Sequence, residues 1–198
     1  MGPSLDLVIL RAAGYVDVLR SAGFGGLMQV LVNIVAGYLA WLAVAILAAR
    51  GEPLLAVLPS LAAIGLHFAV MPAPVRGNEV RLIALAIPVG FVVETILLKT
   101  GVTRYAEGAS IGGLPPLFMI GLWMAFATFL NVSLAWLKAR RGLVVLFGAL
   151  ASGPSYYAGA KIGALTLAEP TLLSLAAIGA CWMVAFPLLM AAARRLDR

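Results

Sequence analysis

Apolar residues fall into six long runs, at 27–49, 54–71, 82–98, 117–137, 143–165 and 172–193, separated by short clusters of proline, glycine and charge. Each run is close to the about 20 residues that an α-helix, rising about 1.5 Å per residue, needs to cross a hydrocarbon core of about 30 Å. The pattern predicts an all-α membrane protein with six transmembrane helices. The breaks are strongly punctuated: Arg50-Gly51-Glu52-Pro53 follows the first run, Pro72 and Pro74 close the second, and Gly112, Gly113, Pro115 and Pro116 precede the fourth. One connection, 101–116, is long enough for a lid or a short re-entrant element.

Residues 5–20 read differently. Asp6, Asp17 and Arg20 share one helical face, while Leu5, Val8, Ile9, Ala12, Val16 and Leu19 occupy another. This predicts an amphipathic interfacial helix, with Gly23, Gly25 and Gly26 as a hinge into the first crossing. Arg11 and the flanking acids disfavour a signal peptide. The expected organisation is an amphipathic N-terminal segment, 1–26, and a single six-helix domain, 27–198, with no internal repeat.

Composition strengthens the membrane reading. Of 198 residues, 63% are hydrophobic and 11% charged, against roughly 25% charged in a soluble domain. The single cysteine, Cys181, and the single histidine, His67, both lie inside apolar runs, so one chain has neither a disulfide framework nor a Cys/His metal site. No metal or cofactor is expected. The net charge of +6 sits at the ends of apolar runs, where lipid headgroups and topology account for it, and nucleic-acid binding is disfavoured. In an alternating six-helix arrangement, ten of the 14 Lys and Arg residues fall on the side of the termini and three, Arg50, Lys99 and Arg104, on the other, with Lys161 inside a helix. The positive-inside rule then places both termini on the cytoplasmic side of a bacterial inner membrane.

Polar residues can be placed by depth at about 1.5 Å per residue. Asn33, His67, Asn131 and Ser133 fall in the cytoplasmic half; Glu94 and Lys161 fall in the outer half. Hydrocarbon penalises an unpaired charge by several kcal/mol, so Glu94 must be protonated, paired or facing water, with Lys161 or Lys99 as available partners. A depth difference of about 10 Å argues against a direct His67–Glu94 dyad. In the fifth run Ala151, Ser155, Gly159 and Gly163 recur at spacing four, a stripe that admits a neighbouring helix closely. Pro154 opens the ladder beside Gly153, which marks 153–157, with Tyr156 and Tyr157, as a candidate cavity wall. The plain alternatives are interhelical hydrogen bonds for Asn33, Asn131 and Ser133, a structural donor for His67, an ion pair for Glu94 and a kink at Pro154.

Two runs, LWMAFATFLNVSLAWL at 122–137 and GALASGPSYYAGAKIGAL at 148–165, carry a resemblance. The chain resembles the bacterial inner-membrane family catalogued as domain of unknown function twenty-eight seventy-eight. The likeness extends to Asn33, Trp41, His67 and the acid at 94, and covers most of the chain after residue 26. No activity comes with this family. Its genes often lie near lipid-modifying enzymes of the cyclopropane-synthase type, so the resemblance implies a lipid context. Val132 stands where the family pattern has His, which puts in doubt any role needing histidine there, and Glu94 stands where Asp is frequent.

Three function classes compete. The first is binding or processing of a lipid or other hydrophobic small molecule in a cavity lined by the third, fourth and fifth helices, with Glu94, Asn131, Tyr156 and Tyr157 orienting its polar end and Lys161, His67 and Asn33 as further ligand-binding candidates. The second is a small-molecule transporter, or a substrate-binding membrane subunit like the six-helix subunits of vitamin importers. The third is a noncatalytic scaffold, for which the small-residue stripe and the leader would suffice. Whether the protein is an enzyme is open.

Overall fold

Long apolar runs leave the backbone no partner in hydrocarbon but itself, and five of the six fold accordingly into helices close to their expected bounds. The computed structural model describes residues 23–106, 108–110 and 112–196. The interfacial helix expected at 5–20 lies outside the described residues. Among these, six α-helices follow in order: α1 Gly23–Ala49, α2 Leu58–Val70 with a leading 3-10 turn Leu55–Val57, α3 Arg76–Lys99, α4 Leu117–Ala127, α5 Arg141–Ile162 and α6 Thr171–Leu196. Four of them, α1, α3, α5 and α6, are long and apolar enough to cross a membrane; α2 and α4 are shorter.

The fourth run departs most from expectation. A continuous helix over 117–137 is not formed: α4 stops at Ala127, the N–H groups of Thr128, Phe129 and Leu130 bond three residues back, and a 3-10 turn follows at Ala135–Leu137. The cause lies in the polar side chains. The Thr128 hydroxyl donates to the Ala125 carbonyl at 2.7 Å, a local bond that competes with the helix ladder. Beyond it the tightened chain sends Asn131 to α3 and Ser133 to α1.

Side-chain bonds show that the helices alternate in direction. One end of the bundle gathers the starts of α1, α3 and α5 with the ends of α2, α4 and α6: Gln29 donates to the Val70 carbonyl, Asn78 to Leu196 and Arg194 to Lys138. At the opposite end a two-residue antiparallel ladder pairs Thr103–Arg104 (β1) with Thr166–Leu167 (β2). This ladder straps the beginning of the connection expected to hold a lid or re-entrant element onto the α5–α6 loop.

The interior is filled by Leu82, Phe118, Ile178, Phe186 and Met190, while apolar side chains also coat the outside: Leu172 is 77% exposed and Val184 69%. Such a surface is costly in water and matches lipid. The tightest helix contact is between α5 and α6. A Cβ at Gly148 would lie 2.6 Å from the Trp182 carbonyl oxygen and one at Gly179 would lie 2.7 Å from that of Ala149. The small-residue stripe at 151, 155 and 159 does not make this approach; its place is described below.

Candidate functional site

Glu94 sits on the last two turns of α3 and is fully buried. One turn earlier Gly90 has no side chain, and the Trp123 ring of α4 occupies that space: a Cβ at Gly90 would lie 2.3 Å from Trp123 Cγ. Seated there, Trp123 donates its indole N–H to Glu94 Oε1 at 2.9 Å. Tyr105, carried in just after β1, donates its hydroxyl to Oε2 at 2.9 Å, and Tyr156 of α5 donates to Oε1 in a short hydrogen bond. The carboxylate is thus bound by donors from three separate segments. Burial, and after it the Glu94 charge, push the Tyr105 phenol well above its usual range, so Tyr105 keeps its proton and remains a donor.

No cation joins this group among the described residues. Lys161, an available partner from its depth in the sequence, does not pair with Glu94. It lies on the exposed side of α5, and its ammonium sits 5.2 Å from the Tyr157 ring centroid. The helical screw accounts for this. Residues 156 and 161 are five positions apart, about 140° around a helix with 3.6 residues per turn. Tyr157 is likewise on the outer face, 42% exposed, and takes no part in the Glu94 cluster.

Behind Trp123 and Tyr156 opens a cavity of about 700 Å³, bounded by α1, α4, α5 and α6. The expected set of third, fourth and fifth helices is corrected accordingly: α3 stands one layer back and reaches the cavity only through the residues that hold Glu94. Trp123 and Trp182 stack at 4.4 Å and 19° on the wall, with Phe126 edge-on to Trp182 at 5.0 Å. Ala151, Ser155 and Gly159 line the same space. Small residues at spacing four therefore keep room open for the cavity, and the helix contact is made by Gly148 and Gly179 instead. Pro154 and Tyr156 also line it, as the proline motif led one to expect.

A second polar cluster occupies the opposite end of α3. His67 Nε2 lies 3.2 Å from Glu79 Oε2, both buried, and Asn131 Nδ2 donates to Glu79 Oε1 at 2.6 Å. Alongside, Asn33 Nδ2 donates to Thr128 Oγ1 at 3.1 Å and Ser133 Oγ donates to Asn33 Oδ1 at 2.8 Å. These bonds tie α1, α2, α3 and the turn after α4. Of the residues singled out in the sequence, Asn33, His67 and Asn131 thus meet at one end of the bundle, Glu94 and Tyr156 meet at the other, and Lys161 and Tyr157 stand outside both.

Three site residues were missed. Glu79 lies three residues before the third apolar run, outside the apolar segments; the signal for it was His67 within an apolar run without an assigned partner. Trp123 sits in the dense motif, and a buried indole N–H usually finds an acceptor. Nothing local marks Tyr105. Chemically, the cavity wall carries no His, Lys, Arg or Cys among the described residues. What it offers is aromatic faces, a few hydroxyls and a carboxylate one side chain behind the wall.

Fold and surface together define an α-helical protein of the membrane class, with four helices able to cross a bilayer by length and composition. Within that class the chain belongs to the family described as protein of unknown function (DUF2878), whose model matches residues 30–188. No curated protein and no solved structure matches it.

Proposed function

We propose that this chain is a multi-pass protein of the bacterial inner membrane, both termini cytoplasmic, that binds a lipid or other hydrophobic molecule in the cavity between α1, α4, α5 and α6. The observation that carries the reading is the cavity itself: about 700 Å³ falls within the 300–1,000 Å³ or so typical of small-molecule sites, and its wall is apolar with few polar groups. Six crossings are part of the reading, α2 and α4 being the short ones. Arginines gathered at the end that holds the α6 C-terminus, Arg76, Arg140, Arg141, Arg194 and Arg195, support the orientation.

Native mass spectrometry of the full chain in neutral detergent tests the binding. The expected result is a bound organic mass, recovered by extraction, that is lost in Ala151→Trp, a substitution that fills the cavity wall without touching Glu94. A bare protein mass, together with an unchanged lipid profile in a deletion strain, would count against it. Reporter fusions at the C-terminus test the orientation; activity of a periplasm-dependent reporter there would overturn it.

A further inference from the structure

The cavity has a mouth, and the side on which it opens narrows what can enter. α1 packs on α2 and α5 on α6, while α1 and α5 barely touch. The Phe129 ring, in the turn after α4, sits against Gly37, where a Cβ would overlap it, so α1 rests on that turn. α1 meets α5 near its far end, where a Cβ at Gly163 would lie 3.6 Å from the Ala49 Cβ. Between these points cavity-lining residues of both helices are exposed: Ile34 and Tyr38 of α1, the tyrosine 69% exposed, and Ala151, Pro154 and Ser155 of α5. Exposed apolar side chains flank the gap, Leu39 on one helix and Leu150 on the other. At about 1.5 Å per residue, Tyr38 and Ala151 lie about 15 Å or more from either end of their helices. Both helices are long enough to cross a bilayer, so the opening falls in the middle of the hydrocarbon and away from water.

Charge is absent along the whole of this route. α1 contains no charged residue, and in α5 the charges, Arg141 and Lys161, stand at the two ends. None lines the cavity. Glu94 lies behind the wall, already bound by three donors. A charged head of either sign would have to pass through hydrocarbon to reach the mouth, which is costly for an unpaired charge, and would find no counter-charge on the wall. The polar groups on offer are neutral. The Ser155 hydroxyl at the mouth and the Trp182 N–H in the wall have no hydrogen-bond partner among the described residues. Both can donate, which suits the oxygen of an alcohol, ester or ketone.

We infer that the ligand is an uncharged, oxygen-bearing molecule dissolved in the bilayer, and that it enters and leaves sideways through the gap between Ile34 and Tyr38 of α1 and Ala151 and Ser155 of α5. The inference rests on the binding reading above and adds to it the charge of the ligand and its route.

The test joins the two sides of the gap reversibly. The full chain carrying Tyr38→Cys, Ala151→Cys and Cys181→Ser is placed in phosphatidylcholine vesicles and treated with bis-methanethiosulfonate reagents of graded spacer length, linkage being read by intact mass. The probe is deuterated hexadecanol, chased with the unlabelled alcohol and followed by native mass spectrometry. Linking after loading should slow its loss at least tenfold or so, linking before loading should slow its uptake as much, and reductant should restore both. Ile34→Cys with Ser155→Cys is the second pair, should the first fail to fold. Exchange unchanged by complete linkage, uptake blocked without retention, or no linkage at any spacer length in either pair overturns the sideways route. As competitors in the wild type, hexadecanoate and hexadecyltrimethylammonium should be at least about tenfold weaker than hexadecanol; equal competition by either overturns the uncharged class. Each of these results leaves the cavity reading standing, whereas a wild type that retains no hexadecanol and neither competitor takes that reading down as well.

Discussion

Replacing Gly90 with alanine would put a methyl carbon 2.3 Å from Trp123 Cγ and 2.6 Å from Cδ1 and Cδ2. Carbon atoms in contact sit at about 3.5–4.0 Å, so the indole must retreat by more than about 1 Å. Its hydrogen bond to Glu94, 2.9 Å long, cannot survive that movement, and the stacked partner Trp182 must give way as well. Overpacking of this kind costs about 1–3 kcal/mol. The lost bond to a buried carboxyl group adds about 1–3 kcal/mol. Against these stands the gain of about 1 kcal/mol from replacing a mid-helix glycine by alanine. The balance is a loss of about 1–5 kcal/mol, with the spread set by how far α4 can shift. Thermal unfolding in detergent reads the stability, and near-UV circular dichroism reads the Trp123–Trp182 stack directly. A Gly90→Ala protein that melts at or above the wild-type temperature with an unchanged near-UV spectrum would refute the seating of Trp123 on Gly90. Trp123→Phe introduces no clash with Gly90 but removes both the bond to Glu94 and the indole that stacks on Trp182, so it should destabilise by loss of contacts and abolish the stacking signal.

The remaining predictions concern other parts of the bundle. Gly148→Leu and Gly179→Leu meet backbone carbonyls that cannot step aside; both should abolish a cooperative melt, whereas Gly77→Ala and Gly142→Ala, with nothing within 4 Å of the new carbon, should melt within a few degrees of wild type. His67→Ala strips Glu79 of one of its two partners in a buried site and should cost about 1–3 kcal/mol in chemical denaturation, with no loss if the cluster is exposed to water instead. At the opposite end Glu169 accepts from the Thr171 hydroxyl and amide at 2.8 and 2.7 Å, and these bonds, the hydroxyl first, hold its pKa below the usual glutamate value. Its folded-state pKa being depressed, this cap on α6 is fully present above the ordinary value of about 4.3 and is lost as pH falls through the lowered one. Hydrogen exchange at the Thr171 amide, corrected for intrinsic rate, should therefore accelerate in that acidic window in wild type and be pH-independent in Glu169→Gln; equal profiles would sink the assignment.

Much of the architecture was legible from the chain alone, because it depends on local quantities. Whether a run of apolar residues can span hydrocarbon depends on its length and composition, and the bounds of α1, α5 and α6 differ from the apolar runs by about one turn or less, while α3 starts nearly two turns before its run. Where a run carried polar side chains with distant partners, local reading failed: over 128–134 the demands of Asn33 and Glu79 outweighed helix continuation. The spacing of Ala151, Ser155 and Gly159 was plain, but a stripe of small residues is compatible with a close helix or an open space, and only the position of the neighbours decides between them.

The Glu94 site shows the division most clearly. An acid within an apolar helix must be protonated, paired or facing water, and that much the sequence settled. Which partners it takes was beyond local pattern. Trp123 and Tyr156 lie 29 and 62 residues away, and the rotation of α5 that brings Tyr156 inward carries Lys161 out. Helix length and polarity are properties of a segment, whereas rotation and contact follow from packing all six helices at once. The membrane class came from the first; a carboxylate held by neutral donors behind an aromatic cavity came from the second.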